Sequence, residues 1–380
     1  MRNLIFWMLM LFCVETAVAQ HGLSVKQASR MQDELIGLHH QHIKKTRSAE
    51  MDRRAVQIEN LTMPFWYKVY GDRPESGRSL FISLHGGGGA PAAVNDQQWQ
   101  NQQRLYEPAE GVYLVPRAPT NTWNLWHQQH IDAFFTRLIE NMVVFEGVNP
   151  NRVYVLGYSA GGDGVYQIGP RMADRWAAAS MMAGHPNDAR PDSLRNTPFS
   201  IHVGALDSAY KRNQVAAEWG KTLDELQRRD PRGYSHFTKI YAGKGHWMDR
   251  EDRVAISWMA KYTRDPFPHK IVWLQDAETH PRFYWLAVRG DSVRGRSRIV
   301  AERDGQTISI QSSSVPEVVV LLNDEMLDLD RKVTVRYQGQ VVYSGKPKRS
   351  ASVIRRTLNE RGDVTSIFSA EIPISIPDSQ

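Results

Sequence analysis

The sequence predicts an α/β protein: a mostly parallel sheet with helices on both faces, followed by a small β-sandwich-like unit. Three observations carry this prediction. Six short apolar runs between residues 79 and 245 each end in a glycine- or turn-rich loop, with helical patterns between them. That alternation is what crossover connections between parallel strands require. Beyond "DPFPHK" (265–270) the texture changes to alternating apolar and polar residues, the period of strands with one solvated face. Finally, "GYSAGG" (157–162) places a serine between glycines where one apolar run gives way to a helical pattern.

Taken in order, the chain begins with an address. Arg2 precedes "LIFWMLMLF", and "AVA" at 17–19 offers small residues at the positions a signal peptidase reads, so residues 1–19 are expected to be a signal peptide directing the protein to the periplasm or outside the cell. The apolar stretch is shorter than the roughly 20 residues of a spanning helix, and no later segment reads as a membrane span. Cys13, the only cysteine, falls in this segment, so the mature chain would carry no disulfide or thiolate metal site. The net charge of +6 comes without a run of five like charges, which argues for a solvated surface and against a nucleic-acid footprint.

Residues 20–64 are expected to form an N-terminal helical segment, with Leu35, Leu38 and His42 at helical spacing. A catalytic unit is expected over 65–268. Buried strands, each running into a loop, are read in "SLFISLHGGGG" (79–89), "VYLVPRAP" (112–119), "RVYVLGYS" (152–159), "AAASMMAG" (177–184), "FSIHVGALD" (199–207) and "FTKIYAGKG" (237–245). Its helices show apolar stripes at Ile131, Phe134, Phe135, Leu138, Met142 and Phe145, and at Val215, Trp219, Leu223 and Leu226. A β-rich unit follows over 269–380, with strands in "QTISIQ", "KVTVRY" and "QVVYSG", a hairpin turn at Gly339 and a short helix near 350–359. If the chemistry is complete by residue 246, this last unit is dispensable for it.

Strand, Gly-x-Ser-x-Gly and helix together form the context of a nucleophile elbow, in which Ser159 is exposed on a strained turn and Gly157 and Gly161 allow close backbone approach. A tight turn without chemistry is the plainer alternative. A serine needs a base to take its proton, and the base needs a carboxylate to hold its tautomer. Asp207 and His246 follow in the order serine, acid, histidine, each at the end of a strand where ligand sites of such sheets form. Asp207 could instead cap a helix, and His246 could be a surface loop residue; Asp188, Asp249 and Asp252 are rival acids. In "HGGGGA" (85–90) the amides of Gly86, Gly87 and Gly88, with that of Ala160, are candidates for an oxyanion hole.

Other residues have two readings each. Trp123, Trp126 and His127 offer either an aromatic platform for a substrate or core packing. His185 and Asn187, at the end of a strand beside the elbow, are candidate pocket residues, although His185 as the catalytic base would break the usual order, and Tyr158 is a candidate substrate contact. "NDQQWQNQ" (95–102) either braces the glycine loop through side-chain amides or is a solvated helix. His202 reads as a satisfied core residue. His39, His40 and His42 lack a carboxylate at ligand spacing, so no metal site is expected.

On these residues, 79–262 resemble an α/β-hydrolase. "GYSAGG" with the late "GHW" is similar to exported esterases that include polyhydroxyalkanoate depolymerases and feruloyl and acetylxylan esterases. The resemblance implies a Ser159, Asp207, His246 triad that hydrolyses a small-molecule or polymer-linked carboxylic ester through an acyl-enzyme, without a cofactor. It covers about half of the chain. Tyr158 stands where many such esterases have leucine, their disulfides are absent, and "HGGGG" is nearer the hormone-sensitive-lipase-like branch, which typically has aspartate before the serine. A serine peptidase of the prolyl-oligopeptidase type and a non-catalytic polymer-binding protein on a hydrolase scaffold are the alternatives. The second is disfavoured because all triad and oxyanion positions are filled.

Overall fold

The computed structural model describes residues 22–275, 278–290 and 294–376; the expected signal peptide lies outside them. Helix α1 (Val25–Arg53) starts at a capping box, in which Ser24 and Gln27 satisfy each other's backbone N–H groups, and stops at Arg54 in the left-handed region. The segment 20–64 is therefore helical only to Arg53. Strands β1 (Ala55–Ile58) and β2 (Leu61–Tyr70) form a hairpin that opens the main sheet. Leu35 is half-buried, but Leu38 and His42 face solvent, because the inward stripe runs through Ala28, Ile43 and Glu50. Glu50 is buried against Arg137 and Asn141, so a polar residue holds a stripe position that an apolar pattern cannot reveal.

The main sheet continues with β3 (Arg78–Leu84), β4 (Gly111–Pro116), β5 (Val148–Tyr158), β6 (Ala178–Met182), β7 (Phe199–Gly204) and β8 (His236–Tyr241), in the order β1-β2-β4-β3-β5-β6-β7-β8. β1 and β2 pair antiparallel and the neighbours from β4 to β8 pair parallel. Both faces are covered. Leu80, Ile82, Val153 and Val155 enter one core with Trp126, Phe134, Phe135 and Ile168, while Phe81, Tyr154 and Leu156 enter another with Tyr113, Met182 and Met259. That split along β3 and β5 is the period-two geometry of a strand buried on both sides. The covering helices are α2 (Ala92–Gln102), α3 (His130–Glu146), α4 (Ala160–Arg171), α5 (Arg212–Arg229) and α6 (Val254–Met259). This is the α/β-hydrolase fold, and all six apolar runs are strands of its sheet. None of the described helices is long and apolar enough to cross a membrane.

The C-terminal part contains two further sheets. One has the order β16-β15-β13-β12-β9, from β9 (Lys270–Leu274), β12 (Arg298–Asp304), β13 (Thr307–Ser313), β15 (Val333–Tyr337) and β16 (Gln340–Gly345). The other has the order β10-β11-β14-β17, from β10 (Arg282–Phe283), β11 (Leu286–Ala287), β14 (Glu317–Leu322) and β17 (Ala370–Ser375). Ile271, Ile308, Val320 and Ile372 share a core between them. Gln338 and Gly339, at φ 46° and 86°, make the two-residue hairpin turn. Helix α7 (Ala351–Arg361) packs alongside.

Buried charges join this part to the main sheet. Arg264 pairs with Asp363 at 2.8 Å, Arg361 with Asp174 at 2.6 Å, and Arg175 approaches Asp363 at 3.6 Å. Burial alone would raise the Asp174 carboxyl, but the Arg361 and Arg175 guanidinium groups beside it bring it below its ordinary value. Removing residues 269–380 would strip the ion-pair partners from Asp174, Arg175 and Arg264, and an uncompensated buried charge is strongly destabilising. Truncation after residue 268 is therefore expected to lower the stability of the remaining chain.

His202 on β7 is fully buried, with Nδ1 3.0 Å from the Tyr241 hydroxyl and Nε2 3.2 Å from the Ser200 hydroxyl. Burial pushes it from 6.5 down to about 3, with Lys239 adding to the fall. The imidazole is neutral in the native state and takes up a proton on unfolding between those two values. Its contribution to stability is complete above pH 6.5 and is lost as pH falls through that window. Urea unfolding at neutral pH and near pH 5 should show a smaller loss of stability for His202→Asn than for wild type. An unchanged pH slope would contradict this reading.

Candidate active site

β5 ends at Tyr158 and α4 begins at Ala160, so the chain reverses at one residue. That residue is Ser159, at φ 58° and ψ −120°, a conformation non-glycine residues rarely adopt. The turn requires its two glycines. A Cβ on Gly157 would lie 2.2 Å from the Gly161 carbonyl oxygen, and one on Gly161 would lie 2.1 Å from that of Leu84. Ser159 N–H donates to the Met182 carbonyl at 2.9 Å, tying the turn to β6.

Three side chains from three loops meet here. Ser159 Oγ lies 3.0 Å from His246 Nε2, and His246 Nδ1 lies 2.8 Å from Asp207 Oδ2. Asp207 is 3% exposed and sits just past β7, where its backbone carbonyl accepts from Asn213 N–H. Its carboxylate makes no helix cap; it faces His246 on one side and Arg212, at 3.7 Å, on the other. The rival acids are engaged elsewhere. Asp249 pairs with Lys244, Asp188 with Arg296, and buried Asp252 accepts from the Tyr106 hydroxyl.

The glycine loop leaves β3 beside the serine: a Cβ on Gly86 would stand 3.2 Å from Ser159 Cβ. His85 anchors the loop. Its Nδ1 lies 2.6 Å from the Gly86 carbonyl and its Nε2 accepts from Ala118 N–H at 3.1 Å. Burial pushes this imidazole down to about 4 and so keeps it neutral, with the proton on Nδ1. In a trans peptide the N–H points opposite to the carbonyl. Holding the Gly86 oxygen therefore leaves the Gly87 N–H on the far side from His85. Ala160, the first residue of α4, has an N–H with no intrahelical acceptor. Gly86 and Gly87 line the cavity at Ser159, but Gly88 does not. Its N–H donates at 2.8 Å to Asn95 Oδ1, which removes it from the expected oxyanion donors. Asn95 also donates to the Ala90 carbonyl and to Asn121 Oδ1, so the "NDQQWQNQ" segment does brace the loop.

Ser159 and His246 open into a cavity of about 550 Å³. Tyr158 lines it, but the other expected substrate contacts do not. Trp126 is core, with Nε1 donating to the His85 carbonyl at 2.9 Å. Trp123 is 64% exposed and packs beside Gly88 and Gly89. His127 stands edge-on to Trp123, and burial pushes it down to about 4. His185 turns its own loop, its N–H on Asp163 and its Nδ1 accepting from Asn187 N–H. The wall is formed by Trp247 and Arg250 after the histidine, and by Val94, Gln98, Arg104 and Leu105 from α2 and the turn beyond it; of these the sequence reading passed over Arg250, Val94, Arg104 and Leu105.

Tyr158 has a second task. Its hydroxyl donates to the His246 carbonyl at 2.6 Å and accepts from Met248 N–H at 3.2 Å, gripping the histidine loop on both sides. Tyr158→Phe removes both bonds and keeps the ring. We expect turnover to fall about tenfold with KM little changed, since imprecise placement of a reacting group acts on the chemical step. Steady-state kinetics on a small ester would decide it, and a rise confined to KM would make Tyr158 a substrate contact only.

No protein-family profile and no curated protein matches this chain. Solved structures that it resembles include a thermostable esterase (18% identity, 55% of this chain and 62% of that one, TM-score 0.42). Others are a ferulic acid esterase (15%, 55% and 95%, TM-score 0.38) and the feruloyl esterase module of Clostridium thermocellum complexed with sinapinate (14%, 55% and 86%, TM-score 0.40). These likenesses are distant, leave nearly half of this chain uncovered, and concern the fold alone.

Proposed function

We propose that this chain is an exported serine hydrolase of carboxylic esters, with residues 65–268 as its catalytic unit and Ser159, His246 and Asp207 as its triad. The observation that carries the reading is the chain of contacts from Ser159 Oγ to His246 Nε2 and from His246 Nδ1 to Asp207 Oδ2, at 3.0 and 2.8 Å, on a strained strand-to-helix turn. Ser159 Oγ attacks the ester carbonyl while His246 Nε2 takes its proton. The tetrahedral oxyanion accepts from the N–H groups of Gly87 and Ala160. Collapse expels the alcohol, which takes the proton from His246 and leaves an acyl-serine. Water, deprotonated by His246, then attacks the acyl carbon, and the Ser159 Oγ–acyl bond breaks as His246 returns the proton to Oγ, releasing the acid. Asp207, buried beside the ring, accepts from Nδ1–H and holds the imidazole in that tautomer. None of these steps calls for a cofactor. Export rests on the apolar segment and the "AVA" at 17–19.

The test is covalent labelling of the full mature chain with a fluorophosphonate probe, alongside turnover of p-nitrophenyl acetate, a feruloyl ester and a peptide anilide. Adduct formation at Ser159 with ester turnover supports the reading. Turnover of the anilide alone would make the protein a peptidase, and absence of any adduct would make it a binding protein.

A further inference from the structure

The cavity at Ser159 is lined by two guanidinium groups, Arg104 and Arg250, and by no carboxylate. Among the described residues neither guanidinium forms an ion pair or a hydrogen bond. For Arg250 this is unexpected on sequence grounds, because Asp249 and Glu251 flank it. Both flanking acids go instead to Lys244, at 2.8 and 2.9 Å. Asp249 and Arg250 are both left-handed, at φ 52° and 62°. This is a costly conformation for consecutive non-glycine residues, of the kind that collects at ligand sites. Through that turn Asp249 ends on Lys244 and Arg250 ends on the cavity, four residues from His246. Arg104 reaches the same cavity from the turn after α2. The same cavity is lined by the apolar Val94 and Leu105 and by half-exposed Trp247.

We infer that the substrate is an ester carrying a carboxylate, seated with its apolar part on Trp247 and Leu105 and its charge on Arg104 and Arg250. The inference rests on the serine-hydrolase reading above. A neutral ester filling this cavity would displace water from two cations and give them no counter-charge. An anionic ester supplies it, and complementary potential of this kind sets specificity more than overall affinity. A guanidinium fork also matches a carboxylate in geometry, which a lysine ammonium would not. Lys244 meanwhile neutralises the acids that would otherwise repel such a substrate.

The experiment compares kcat/KM of the full mature chain on two matched pairs. One pair is p-nitrophenyl hexanoate and the p-nitrophenyl monoester of adipic acid, which differ by a carboxylate on the acyl side. The other is p-acetoxybenzamide and p-acetoxybenzoate, which differ on the alcohol side. We expect the anionic member of at least one pair to be preferred. That preference should fall about three- to fivefold in Arg250→Gln and in Arg104→Gln, a size set by the exposure of both side chains, and further in the double variant. Raising the ionic strength should weaken it in wild type. Arg232→Gln, an exposed arginine outside the cavity, should leave the ratio unchanged. Turnover with neutral members preferred in both pairs, or a ratio untouched in the double variant, would overturn the inference and leave the hydrolase reading standing. No turnover of either pair together with no fluorophosphonate adduct would overturn both.

Discussion

Ser159→Ala is expected to abolish ester hydrolysis while leaving the protein folded. Removing the nucleophile of a triad costs roughly 10⁶ in turnover, because what remains is only the oxyanion donors and substrate binding. The structure gives reasons to expect little effect on stability. The Ser159 hydroxyl has one partner, His246, and the turn itself is held by the Ser159 N–H on Met182 and by the close approach of Gly157 to Gly161. None of these last contacts involves the hydroxyl. Alanine carries the same φ of 58° at a cost similar to that of serine, so the strain is unchanged. The measurements are hydrolysis of p-nitrophenyl acetate, intact mass after fluorophosphonate treatment, and thermal unfolding. Turnover within about a hundredfold of wild type at an unchanged melting temperature would move the nucleophile elsewhere. A collapse in melting temperature would mean that the hydroxyl holds the turn. Gly161→Ala provides the contrast: its new Cβ would strike the Leu84 carbonyl, so there the fold should suffer first.

The residues legible in the sequence are those whose surroundings are local. Ser159 lies within one strand-turn-helix unit, and the runs that became β3 to β7 are buried on both faces, so each announces itself without its neighbours. Asp207 and His246 were legible as strand-end residues in a given order, and in the structure Asp207 and Ser159 lie within hydrogen-bond reach of the two nitrogens of the His246 ring. What stayed hidden depends on contacts distant in sequence. Trp123 and Trp126 are three residues apart, and only the packing of α3 and α4 against β3 decides that Trp126 is buried. Gly88 looks like its neighbours until Asn95 takes its N–H. The cavity wall contributed by α2 and the turn beyond it carries no apolar period, since Gln98 and Arg104 face the cavity and not the core. β1 and β2 are half-buried and mixed in character, and the charges joining the two parts of the chain, such as Arg264 and Asp363, are about 100 residues apart.

Asp207→Asn is the substitution that separates the acid from its rivals. Asp207 Oδ2 lies 2.8 Å from His246 Nδ1, which as the proton-bearing nitrogen donates to it. Asparagine keeps the size, but its amide nitrogen can face the ring only if Nδ1 is the bare nitrogen, which puts the proton on Nε2. In that tautomer Nε2 cannot take the proton of Ser159, and the equivalent change in a serine protease costs about 10⁴ in turnover. The amide oxygen can still accept when it faces the ring, but it does so without the full charge that stabilises the imidazolium. We therefore expect a loss of about 10² to 10⁴ in kcat, with KM little affected because Asp207 is buried away from the cavity. Folding should change little, since the carboxylate's other charged neighbour, Arg212, lies 3.7 Å away. Asp249→Asn loosens a surface pair with Lys244, and Asp188→Asn a surface pair with Arg296; exposed pairs of this kind contribute at most about 1 kcal/mol. Each of these should stay within about tenfold of wild type, as befits groups outside the proton relay. Kinetics on one small ester across the three variants decides the matter: a crippling Asp249→Asn beside a mild Asp207→Asn would overturn the acid assignment while leaving Ser159 and His246 in place.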